Sequence, residues 1–212
     1  MYNILVTGVD KREVSLLRNI LKEYGDKSIL IEKAVGSTLD YESQKKRSKI
    51  AFVRYLIDSR IYSLDQNYTI EDLNSSKIPI RDAHLVLGLE PLETLKNLKY
   101  ISEKTVVILN THQIDLKQSI QNSKKKIIYP SIAQIIDILD QLARKVFALD
   151  FNELSINYFN SPNYSTIIAL GVGVKEFRDI FYEKLMLTIL REFHEDPSRY
   201  IRAFELGTSL ID

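Results

Sequence analysis

Residues 2–21 read YNILVTGVDKREVSLLRNIL, and their two halves carry different hydrophobic periods. Ile4, Leu5 and Val6 form a short apolar run that ends at Gly8, whereas Val14, Leu16, Leu17, Ile20 and Leu21 recur at helical spacing. The reading is strand, glycine turn, helix. Past Gly25, the segment Ser28–Glu32 supplies a second short apolar strand. A strand, a crossover helix and a strand within roughly 30 residues is the length a parallel βαβ unit needs, so the centre of the sheet is expected to be parallel.

Working outward, Lys33–Lys49 contains Gly36, Ser37, Thr38 and the basic run Lys45, Lys46 and Arg47, and is read as a long surface loop. Ile50–Ile57 and Arg60–Leu64 are β-rich and separated by Asp58 and Ser59, which suggests a hairpin and antiparallel strands flanking the parallel centre. His84–Leu87 is a strand ending at Gly88, and Pro91 opens a helical stretch through Leu92, Leu95 and Leu98, with Glu90 and Glu93 well placed near its N-terminus. Thr105–Leu109 is a further strand, Ser131 caps a helix bearing Ile132, Ile135, Ile136 and Leu139, and Lys145–Leu149 is the next strand. Thr166–Val172 and Val174–Phe193 read as helices, the second bounded by Pro197. The expectation is one α/β domain over residues 1–212: a Rossmann-like three-layer sandwich, mostly parallel with some antiparallel strands, and a helical C-terminal extension from about residue 175.

Composition narrows the function classes. The chain has 212 residues, 45% hydrophobic and 27% charged, with a formal net charge of +1, so no basic field draws nucleic acid or an anionic membrane. With no cysteine, thiolate nucleophiles, iron–sulfur ligation and thiolate zinc sites are excluded within the chain. No apolar run approaches the ~20 residues that span a bilayer, and Ile4–Val6 lacks the length and basic flank of a signal peptide, so a cytoplasmic location is expected.

The first turn, Gly8-Val9-Asp10-Lys11-Arg12-Glu13, has the position of a phosphate-cradling βα turn but keeps only its first glycine. Side chains would crowd a pyrophosphate there, and Asp10 would repel it unless Lys11 and Arg12 compensate. Lys45, Lys46, Arg47 and Lys49 are suited to a phosphorylated ligand such as coenzyme A, or form a solvated loop. His84, His112 and His194 fall in separate elements without metal-ligand spacing. Serine-hydrolase, P-loop and Gly-Asp-Gly thiamine motifs are not found.

The segment Leu85-Val86-Leu87-Gly88-Leu89-Glu90-Pro91-Leu92-Glu93-Thr94-Leu95 resembles the strand–G-[FL]-E-P-L-E-[AT]-L stretch of gamma-type subunits of pyruvate and indolepyruvate ferredoxin oxidoreductases. In the same order, Met1–Leu21 resembles that family's glycine-rich opening, Val106–Thr111 its V-I-V-N-T strand, and Ile201–Gly207 its A-F-E-L-G segment. Gln44, Ser48, Val53 and Arg54 lie on a further loop-and-strand pattern whose paired glycines are here Lys46 and Arg47. The resemblance implies an accessory subunit, the indolepyruvate type favoured, without its own catalytic centre or cofactor. Thiamine diphosphate, magnesium and iron–sulfur clusters are then expected in partner subunits, which carry out oxidative decarboxylation of a 2-oxoacid to acyl-coenzyme A. Gly8, Asp10, Lys11, Arg12, Arg54, Gly88 and Glu90 are the ligand- or interface-proximal candidates. Coenzyme A is a candidate ligand and a homodimer is compatible with this reading. A diverged noncatalytic binding or assembly protein on the same fold is the alternative.

Overall fold

The computed structural model describes residues 1–40, 49–58, 70–73, 75, 77–113, 129–193 and 197–211. Six strands form one sheet: β1 (Tyr2–Gly8), β2 (Ile31–Asp40), β3 (Lys49–Ile57), β4 (Leu85–Gly88), β5 (Val106–Asn110) and β6 (Lys145–Leu149). Their spatial order is β2-β3-β1-β4-β5-β6. β1, β4, β5 and β6 run parallel, whereas β3 is antiparallel to both β1 and β2.

Alternation sorts the side chains of the central strands onto two faces. Ile4, Val6, Leu85, Leu87, Val106 and Ile108 enter one core, joined by residues of α1 (Lys11–Lys27), α5 (Ser165–Glu176), α6 (Glu183–Glu192) and α7 (Pro197–Ser209). Leu5, Val86, Val107 and Leu109 enter a second core beneath α2 (Pro91–Leu95) and α3 (Ile132–Asp140). The result is the expected three-layer α/β sandwich, with antiparallel strands at one flank. The C-terminal helices are built into the first core.

Local chemistry explains the helix starts. Asp10 caps α1 by accepting from the Arg12 N–H at 2.7 Å. Pro91 occupies the first turn of α2, where its missing N–H costs nothing. Ser131 and Gln134 form a reciprocal capping box on α3, with bonds of 3.2 and 2.9 Å.

Two expectations are corrected. The loop predicted from Lys33 is strand through Asp40, because residues 33–40 pair with β3 residue by residue from Lys33↔Leu56 to Asp40↔Lys49. β3 lies between β1 and β2, which run in the same direction, so the crossover through α1 skips one position. The helix predicted over Val174–Phe193 is interrupted between Glu176 and Glu183. There Phe181 turns into the rings of Tyr2, Tyr24 and Tyr55, while the Tyr24 hydroxyl donates to the Ile180 carbonyl at 2.9 Å and accepts the Tyr182 N–H at 2.7 Å. The proposed strand Arg60–Leu64 and the Asp58–Ser59 turn lie wholly or partly outside the described residues. One helix, α4 (Phe151–Phe159), was not marked by periodicity, since exposed Ile156 and Tyr158 blur its apolar face.

The C-terminal resemblance segment has a packing reason. A Cβ on Gly171 of α5 would stand 2.3 Å from the Phe204 carbonyl oxygen, and one on Gly207 of α7 would stand 2.1 Å from that of Ile168. The two helices thus meet backbone to backbone. Gly171→Ala and Gly207→Ala should each destabilise the fold by about 1–3 kcal/mol. Gly36→Ala, whose methyl would find its nearest neighbour at 3.5 Å, should leave the midpoint of chemical unfolding unchanged or raise it.

Candidate functional site

β1 is the strand whose two neighbours run in opposite directions, β3 against it and β4 alongside it. The chain leaves β1 for α1 on one face and leaves β4 for α2 on the other, so the carboxyl ends of these strands flank a topological switch point, where open α/β sheets gather ligands. The sequence candidates Gly8, Asp10, Lys11, Arg12, Gly88 and Glu90 converge at this edge. The two turns touch: the Leu89 N–H donates to the Thr7 carbonyl at 2.8 Å, and a Cβ on Gly8 would lie 3.1 Å from Val14 and 3.3 Å from Leu89. Lys49, from the basic group, pairs in register with Gly8 and joins the same edge. Its companions Lys45, Lys46 and Arg47, together with Gln44, Ser48, Lys124–Lys126 and His194, lie outside the described residues.

The helix N-terminus that follows each turn is capped by the chain's own carboxylate. Asp10 takes the Arg12 N–H, and Glu13 beside it is half-buried, with its pKa raised by burial and then by the charge of Asp10. At α2, Glu90 is buried and accepts the Glu93 N–H at 2.8 Å through one oxygen and the Tyr129 hydroxyl through the other. The same Tyr129 oxygen accepts the Leu92 N–H at 3.2 Å. Burial raises the Glu90 pKa, and burial reinforced by the Glu90 hydrogen bond raises that of Tyr129. The Arg12 N–H of α1 and the Leu92 and Glu93 N–H groups of α2 are spent on side chains, and Gly8 leaves no cradle because Leu89 and Val14 fill it. Outward, Lys11 and Arg12 are exposed beside exposed Asp10, and Lys49 is half-exposed.

Residues the sequence analysis did not select complete this edge. Asn110, at the end of β5, accepts the Phe151 N–H at 3.0 Å and the His112 N–H at 3.3 Å. Its amide donates to Asn152 at 2.7 Å and to the Leu89 carbonyl at 3.3 Å, tying β4, β5 and α4 together. His112 Nδ1 stands 3.4 Å from the Asp150 carboxylate, a partner 38 residues away that spacing alone does not reveal. Asn110 lies within the Val106–Thr111 segment, which was the available signal. Among the described residues no three His, Asp or Glu side chains group as metal ligands.

Arg54 is not part of this edge. It pairs in register with Asn3, at the opposite end of β1 from Gly8. There it is buried, donating through Nε to Asn3 Oδ1 at 3.1 Å and through Nη1 to the Ser75 carbonyl. Asn3 in turn donates to Asp82 at 2.7 Å through its amide and to His84 Nδ1 at 3.1 Å through its backbone. This network closes the amino edge of the sheet.

No family model matches the chain. An indolepyruvate oxidoreductase subunit IorB from Archaeoglobus fulgidus is 30% identical over 93 residues, covering 44% of this chain and 45% of the relative. A second, from Methanothermobacter thermautotrophicus, is 31% identical over 94 residues, covering 44% and 46%. Among solved structures, the gamma subunit of a keto/oxoacid ferredoxin oxidoreductase from Geobacter sulfurreducens superposes with a TM-score of 0.64 at 12% identity, covering 99% of this chain and 97% of that one. The similarity is to gamma-type subunits of 2-oxoacid ferredoxin oxidoreductases, in sequence and in fold. A 2-oxoglutarate:ferredoxin oxidoreductase from Magnetococcus marinus, solved with 2-oxoglutarate, coenzyme A and succinyl-CoA bound, matches with a TM-score of 0.58 at 14% identity over 99% of this chain and 30% of its own. Matches to the two IorB subunits span less than half the length of those curated relatives. A histidinol-phosphate aminotransferase from Clostridium botulinum also matches, 24% identical over 80% of this chain and 51% of its own. The Geobacter sulfurreducens and Magnetococcus marinus structures are both of oxoacid ferredoxin oxidoreductases, so the gamma-type similarity is the one that sequence and fold share.

The amino edge yields a pH prediction. Burial, then the nearby Lys104 ammonium, lowers the His84 pKa to about 4 from an ordinary 6.5, and its Nδ1 is engaged as an acceptor. The unfolded chain therefore binds this proton first as pH falls. Stability should be full above about 6.5 and decline progressively toward pH 4, by on the order of 3 kcal/mol from this group. Urea unfolding across that range should show a shallower decline in His84→Gln.

Proposed function

We propose that the chain is the gamma-type accessory subunit of a 2-oxoacid:ferredoxin oxidoreductase, the indolepyruvate type favoured, and that partner chains hold thiamine diphosphate, magnesium and the iron–sulfur clusters. The observation that carries this reading is the superposition of 99% of the chain on 97% of a gamma subunit, with IorB subunits as its sequence relatives. The chain contributes no reacting group. It contributes a rigid carboxyl edge: Asn110 ties three elements together, Glu90 and Tyr129 lock the start of α2, and Lys11, Arg12 and Lys49 offer cations at the switch point. Cations so placed suit the phosphates of coenzyme A, a molecule bound in the Magnetococcus marinus neighbour. Gly8 lets the two turns approach one another, and Gly88 leaves room for Thr94 of α2, whose Oγ1 would stand 2.3 Å from a Cβ there. A second reading, a diverged assembly protein without the activity, is favoured by the closure of both helix N-termini by the chain's own carboxylates.

Affinity purification from the native host separates the two. The first reading expects a coloured complex that reduces ferredoxin in the presence of a 2-oxoacid; a colourless, inactive chain would support the second. Within an active complex, Lys11→Glu combined with Arg12→Glu should raise the KM for coenzyme A about tenfold with kcat little changed. An unaltered KM would remove coenzyme A from the role of this edge.

A further inference from the structure

We draw no further inference here: the strongest candidate, the partly exposed His112–Asp150 side-chain pair just beyond the carboxyl ends of β5 and β6, belongs to the edge already described, and nothing in the structure shows what its imidazole would meet.

Discussion

The structure depends on how β1 is paired. All seven of its residues are buried, and its two edges are satisfied by strands of opposite direction: Tyr2 to Gly8 run against Tyr55 to Lys49, while Ile4 to Thr7 run alongside Leu85 to Gly88. An unpaired backbone group in that position would cost free energy comparable to a lost hydrogen bond, so both ladders must form. Once they do, the carboxyl ends of β1 and β4 lie side by side, and the two following helices are sent to opposite faces. The carboxyl-edge crevice, the contact of Gly8 with Leu89 and the capping of α1 and α2 all follow from that pairing.

Polar groups fix what the apolar core leaves undetermined. Hydrophobic burial assigns faces, but it is nearly indifferent to a small shift of one turn relative to another. Thr7 and Thr94 share a 3.0 Å hydrogen bond, and Thr94 also donates to the Glu90 carbonyl at 3.0 Å, which seats α2 on β1. Asn110 does the same for β5, α4 and the Leu89 turn. At the other end, buried Arg54 and Asn3 with partly buried Asp82 and His84 hold the amino edge without reaching the candidate site. Two polar clusters at opposite ends of one strand thus have separable effects, one on the site and one on stability.

What could be read in the sequence was what depends on near neighbours. The strand–turn–helix of residues 2–21, the Pro91 start, the Ser131 capping box and the strand Lys145–Leu149 are local patterns, and each matches the structure. The extent of β2 was hidden because Gly36, Ser37 and Thr38 read as loop, and only full pairing with β3 makes them strand. The interruption after Glu176 was hidden because Phe177 and Phe181 fit a helical period while Phe181 serves a tertiary aromatic cluster. The site was half legible. Glycines and charges near Gly8 and Gly88 stood out, whereas Tyr129, His112 and Asp150 reach the edge only through the strand order, and Arg54 leaves it for the same reason.

As proposed, this chain is an accessory part of a 2-oxoacid oxidoreductase that completes the chemistry without performing it. The most direct measurement is ferredoxin reduction by the thiamine- and iron–sulfur-bearing partner chains, prepared without this protein and titrated with it. Ferredoxin reduction should rise with added chain and saturate at one copy per catalytic protomer. A rate that is already maximal without the chain, and unchanged by adding it, would show that the chain is no part of such an enzyme.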